Sequence, residues 1–162
     1  MTTVNDFISL AEACLPREAF SPRVLYSWEL SDARVIRARQ FHFVFVSSGP
    51  ATRRGHYVGL WRLNESELFY VDSYGLPPWW ITDNNVTLHY DTVCIQPATS
   101  SLCAAYVLMC ARACLVGNYA RVKRAFARMN DGDRELGVLS YIARARAVNC
   151  STTRRRRRES SS

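Results

Sequence analysis

The spacing of apolar and polar positions divides this chain into a helical opening, a run of strands, one long apolar helix and a more polar helical end. Asn5 or Asp6 can cap a first helix running to about Cys14, with Phe7, Leu10, Ala11 and Cys14 on one face, and Pro16 ends it. Ser31 to Arg39 carries Asp32, Arg34, Arg37 and Arg39 and fits either a helix or an exposed connector. Phe41 to Val46 barely alternates and is aromatic and β-branched, the pattern of a strand buried on both faces, and Ser48-Gly49-Pro50 breaks it. His42 inside that run reads as a packed strand residue. His56 to Trp61 and Leu68 to Asp72 read as two strands joined at an Asn64-Glu65 turn. His56, Val58 and Leu60 then share one face and Tyr57, Gly59 and Trp61 the other. Adjacent Trp79 and Trp80 cannot share a face, so at least one packs over the core edge or lines a groove, with core packing the simpler role. Val86 to Ile95 alternates as a further strand in which His89 is exposed.

Pro97 stops that strand, Ser100 or Ser101 can cap, and Leu102 to Gly117 continues as a buried helix stopped by Gly117. Tyr119 to Met129 places Tyr119, Val122, Phe126 and Met129 on one face, with Arg121, Lys123, Arg124 and Arg128 on basic, solvated faces. Asn130 to Asp133 turns the chain, and Arg134 to about Val148 forms a last helix carrying Leu136, Leu139, Ile142 and Ala143. The pattern predicts an α+β fold, an antiparallel sheet of 41–46, 56–61, 68–72 and 86–95 packed against the buried helix. One domain over residues 1–150 is expected, followed by a low-complexity tail, 151–162, disordered when free.

With 162 residues, 48% hydrophobic and 12% aromatic, the chain can bury one sizeable core. Its net charge of +7 favours polyanionic partners, but the arginine run with Glu159 carries +4 of it, leaving +3 for residues 1–153. That run is Arg154, Arg155, Arg156, Arg157 and Arg158, and it reads as a nuclear-import signal or a nucleic-acid contact. No secretory signal is expected, since the opening residues lack a basic region and a continuous apolar run. Leu102 to Gly117 is too short for a membrane span and contains Arg112. Six cysteines without a secretory signal point to free thiols in a reducing compartment. Zinc binding is disfavoured by the lack of any CxxC pair and by the scatter of His42, His56 and His89.

The candidate chemistry lies in four residues. A thiol nucleophile needs a base, an orienter and an oxyanion donor, which Cys103, His56, Asp72 and Gln96 could supply. His56 begins one strand and Asp72 ends the next, so an antiparallel hairpin can bring carboxylate and ring together. The bland alternative is that Asp72 merely starts an Asx-type turn and His56 is an edge residue. Cys103 opens the buried helix, where unpaired N–H groups and the positive helix end favour the thiolate, and its own N–H points where an oxyanion would form. Gln96, just upstream, can add a side-chain amide to the same hole. Cys110 and Cys114, one helical turn apart, are read as helix-interface residues.

His56-Tyr57, Asp72, Gln96, Ser100 and Cys103, with six residues between Gln96 and Cys103, resemble the adenovirus-type cysteine proteases, the adenain family, over roughly residues 41–117. More distantly they resemble proteases that process ubiquitin-like modifiers, whose third-member motif YVDS is like. Ala104 stands where the family has Gly, and no cysteine aligns with the one that tethers an activating peptide. The resemblance implies a papain-like fold and a monomeric endopeptidase that matures viral precursor proteins in the host nucleus and virion. It implies His56, Asp72, Gln96 and Cys103 as catalytic residues and no cofactor for the chemistry itself, with DNA or an activating peptide as accessories. The competing readings are a modifier-removing protease and a non-enzymatic basic protein of DNA packaging or the capsid.

Overall fold

The computed structural model describes residues 4–30, 33–47 and 55–159, with side chains through Val148. The opening helix α1 (Val4–Cys14) buries Phe7, Ala11 and Cys14 of the predicted stripe, with Leu10 half-buried, because these positions recur at helical spacing. Short strand β1 (Leu25–Tyr26) precedes β2 (Phe41–Val46), in which Phe41, His42, Phe43 and Val44 are all buried, as an unalternating apolar run requires. His42 is packed as expected: its Nε2 accepts the Arg37 N–H at 3.0 Å. Burial, with Arg37 and Arg62 nearby, pushes its pKa down to about 4. Strands β3 (His56–Arg62), β4 (Glu67–Val71) and β5 (Thr87–His89) complete a five-stranded sheet in the order β1-β2-β3-β4-β5.

The expected antiparallel sheet is corrected to a mixed one. β2, β3 and β4 form the antiparallel centre, while β1 pairs with β2 and β5 with β4 in parallel. The strand predicted over 86–95 keeps regular pairing only at Thr87–His89, and the rest is an extended connection to the next helix. Ser48-Gly49-Pro50 lies outside the described residues, as do Ser31 and Asp32. The rest of the ambiguous 31–39 segment is a 3-10 turn at Ala33–Val35. It is clamped by Arg62, whose guanidinium donates to the carbonyls of Ile36 and Ala33 and, at 2.6 Å, of Glu65.

Helix α2 (Cys103–Leu115) runs almost wholly buried, and Gly117 ends it at φ 71°, a left-handed conformation that a Cβ would strain. It packs with α1 on one face of the sheet, joined by α3 (Tyr119–Ala127) and α4 (Asp131–Glu159). A second cluster, including Leu30, Ile36, Val44, Val58, Leu60 and Tyr70, covers the opposite face. Trp80 packs at its edge against Tyr70 while Trp79 is 75% exposed, dividing the two tryptophans as their adjacency demands.

Three helical details depart from the sequence pattern. α4 buries Val138, Ile142 and Ala145, whereas Leu136 and Leu139 face solvent. Two apolar stripes run side by side on this helix, and the one turned toward α1 and α2 is chosen by the angle at which α4 docks. Its backbone stays helical past the expected end near Val148, through Arg154, Arg155, Arg156, Arg157 and Arg158 to Glu159. Within the segment read as a low-complexity tail, the backbone over 151–159 is helical, and residues 160–162 lie outside the described residues. Arginine is a good helix former, and a helix already nucleated on packed residues propagates cheaply. Finally, Lys123, assigned to a solvated basic face, is buried.

Candidate active site

The structure brings His56, Asp72 and Cys103 together. His56 is the first residue of β3, Asp72 follows the last residue of β4, and Cys103 is the first residue of α2. Register does the alignment. A turn centred on Asn64-Glu65 would set His56 opposite Ser73, on the ladder where Asp72 faces the other way. The connection instead closes with Leu63 N–H on Glu67 O at 2.9 Å, and Arg62 pairs with Leu68. That one-residue shift puts His56 and Asp72 on the same face, as diagonal neighbours. His56 Nε2 lies 2.7 Å from Asp72 Oδ1. The same oxygen accepts the Tyr74 N–H at 2.9 Å, so Asp72 both starts an Asx turn and holds the imidazole. Tyr70 reaches its other oxygen at 3.4 Å.

With Nε2 engaged by Asp72, Nδ1 is the ring nitrogen left for the thiol. Burial alone would depress the His56 pKa, but hydrogen bonds with Asp72 and Cys103 and their negative charge outweigh it and raise it to about 9. Burial alone would raise Cys103. The His56 hydrogen bond, the backbone N–H of Tyr57, the His56 charge and the backbone N–H of Ala104 outweigh it, so the thiol is held below its ordinary value. The two shifts describe one coupled pair that favours thiolate and imidazolium together. Cys110 and Cys114 behave oppositely: burial pushes Cys110 up to about 12 and Cys114 up as well, as expected of helix-interface thiols. Cys94 is exposed, its thiol 3.3 Å from the Gln96 carbonyl.

Gln96 is close by, but its amide is fully used. Oε1 accepts from Ser73 Oγ at 2.6 Å, and Nε2 donates to Tyr74 OH and to Ser100 O, each at 3.0 Å. Ser100 Oγ accepts the Leu102 N–H at 3.2 Å and shapes the entry to α2, while Ser101 is exposed. The whole approach is pinned by Ile95 and Gln96 N–H groups on Ser73 O, at 2.8 and 3.0 Å. Gly75 sits at φ 69°, where a Cβ would come within 2.6 Å of Thr92 O, so only glycine permits this close crossing.

Two residues of this network were not singled out from sequence. Tyr74 lies with its ring 4.6 Å from that of His56. It sits in the turn that follows β4, its N–H held by the Asp72 carboxylate, and no sequence period marks it. Lys123, 2% exposed, donates from Nζ to Asp72 O at 3.0 Å and Val93 O at 2.7 Å and pairs with Asp91 at 3.1 Å. Its setting among basic residues hid it. A groove of about 510 Å³ lined by Phe69, Leu88, Asp91, Tyr119 and Lys123 includes none of the four candidate residues in its lining.

Among the described residues no group of three His, Cys, Asp or Glu side chains could hold a metal ion. The candidate nucleic-acid contacts Arg154, Arg155, Arg156, Arg157 and Arg158 lie on the last turns of α4 by their backbone, and their side chains fall outside the described residues. They follow Cys103, the last of the catalytic candidates, by about fifty residues and belong to a different element from any of them. No family model matches the chain, and no curated protein matches it.

Proposed function

We propose that this chain is a cysteine endopeptidase of papain-like, adenain-type architecture that cleaves viral precursor proteins during virion maturation. The observation that carries the reading is the His56 ring held between the Asp72 carboxylate and the Cys103 thiol, with the thiol pKa lowered and the imidazole pKa raised. A cysteine with a merely structural role has no need of such a pair. A nucleophile-bearing helix packed on the sheet supports the papain-like comparison.

The steps follow from the geometry. The Cys103 thiolate adds to the scissile carbonyl carbon, a C–S bond forms, and the carbonyl π pair moves onto oxygen. The Cys103 N–H stabilises that oxyanion, next to Gln96, whose own N–H groups are engaged by Tyr74 and Ser100. Collapse expels the amine, which takes the proton held on His56. Water, deprotonated by His56, then cleaves the thioester. Asp72 keeps the ring oriented throughout.

The run of Arg154, Arg155, Arg156, Arg157 and Arg158 and the +7 charge support a duplex-DNA contact and a place in the host nucleus and virion, with the protein acting as a monomer. No described helix is long and apolar enough to cross a membrane. An electrophilic thiol probe should label Cys103 ahead of every other cysteine, and Cys103→Ala should abolish both that labelling and the cleavage of precursor-derived peptides. Cleavage confined to a Gly-Gly-containing modifier substrate would move the reading to modifier removal. Labelling centred on Cys94, with no peptide cleaved, would leave Cys103 structural and favour a basic packaging protein.

A further inference from the structure

A primary carboxamide has two N–H groups, and both of those on Gln96 are spent, one on Ser100 O and one on Tyr74 OH. Gln96 is 1% exposed, and its oxygen is fixed by Ser73, so the amide cannot turn without giving up these bonds. Nothing on it is left to donate into the cleft. Tyr74 is differently placed. Its hydroxyl accepts from Gln96 and keeps its own proton, whose acceptor, Ser100 O, stands at 3.4 Å, beyond the ordinary O–H···O range. A donor that receives a hydrogen bond while making only a long one is polarised and available. Its backbone is tied to the Asp72 carboxylate and its ring lies against His56, so it is fixed to the same frame as the nucleophile.

We propose that the Tyr74 hydroxyl is the side-chain donor of the oxyanion hole, acting with the Cys103 N–H, and that Gln96 is the positioning residue that orients and polarises it. The inference rests on the endopeptidase reading above. As the C–S bond forms and the carbonyl pair moves onto oxygen, the Tyr74 O–H swings from Ser100 O to that oxygen. No proton changes hands in this step. When the intermediate collapses, the pair returns to the C=O bond, the amine leaves with the His56 proton, and the hydroxyl swings back.

The test is a cycle of Tyr74→Phe, Gln96→Ala and the double variant, each assayed for kcat and KM on a peptide cleaved by the wild type and for Cys103 alkylation by iodoacetamide, a reaction that develops no oxyanion. Tyr74→Phe should lower kcat by on the order of 10²-fold with KM and the alkylation rate nearly unchanged, as for loss of one oxyanion donor. Gln96→Ala should cost a similar factor, and the double variant no more than about threefold beyond the worse single, because the two act as a unit. Unchanged kcat in Tyr74→Phe beside a large loss in Gln96→Ala would overturn the proposal in favour of direct donation by Gln96. Additive losses, or slowed alkylation in Tyr74→Phe, would overturn it as well. If Tyr74→Phe fails to fold alone, Gln96→Ala against the double variant carries the test, equal kcat supporting the proposal and a further tenfold loss overturning it. A wild-type protein that is alkylated at Cys103 yet cleaves no peptide would instead sink the endopeptidase reading, and the proposal with it.

Discussion

Replacing Lys123 with methionine keeps the length and apolar stem of the side chain and removes only its charged, donating end. In the native structure that end satisfies the carbonyls of Asp72 and Val93 and pairs with Asp91. Leaving a buried acceptor without its donor costs roughly 1–3 kcal/mol, so the two carbonyls together set a scale of about 2–6 kcal/mol. The Asp91 side chain is 30% exposed and regains water, so it adds little. Retained packing of the stem offsets part of the loss, and a destabilisation of about 3 kcal/mol is expected. For a chain of this size that corresponds to a Tm lower by about 6–12 °C. Urea unfolding followed by tryptophan fluorescence, together with a thermal melt, measures both quantities. The neighbouring Arg124→Met is the control: that residue is exposed, and its loss should stay within about 0.5 kcal/mol. Because Lys123 grips the carbonyl of Asp72, peptide hydrolysis should fall along with stability. A change below about 1 kcal/mol in Lys123→Met would refute the description of this lysine as a buried donor to those carbonyls.

Cys103→Ala should remove all peptide hydrolysis while Cys110→Ser leaves kcat within about twofold, since Cys110 is a fully buried thiol whose pKa is pushed up rather than down. The pH profile of kcat/KM should rise as the lowered Cys103 thiol ionises and fall as His56 loses its proton near pH 9, bounding the window in which thiolate and imidazolium coexist. Asp72→Asn removes a hydrogen bond and a charge that raise the His56 pKa, so the alkaline limb should move to lower pH; an unmoved limb would separate Asp72 from His56 in function. Truncation after Ser151 removes all five arginines from Arg154 to Arg158 and should flatten the salt dependence of duplex-DNA binding while leaving hydrolysis of a small peptide intact, a comparison readable by fluorescence anisotropy across a salt series.

What the sequence determined by itself is the local character of each element. The stripe of Phe7, Ala11 and Cys14, the unalternating FHFVFV strand and the apolar helix from Cys103 to its Gly117 stop can be read directly, because burial with a fixed period writes itself into neighbouring residues. The same local reading puts His56 and Asp72 at strand ends and Cys103 at a helix start. Tertiary structure decided whatever depends on a distant partner. The one-residue register of β3 on β4 puts His56 and Asp72 on one face, and turn closure sets it rather than strand composition. β5 pairs in parallel because the chain crosses over between Val71 and Thr87, which no alternation pattern encodes. On α4, two apolar stripes compete, and docking chooses Val138 and Ala145 over Leu136 and Leu139. Lys123 looks like its exposed neighbours until the carbonyls of Asp72 and Val93 come within reach. Gln96 likewise reads as a free donor until Ser73, Tyr74 and Ser100 take up its amide. A hydrogen bond between residues far apart in sequence leaves no period in the chain, so only the folded arrangement can show which polar groups are already satisfied.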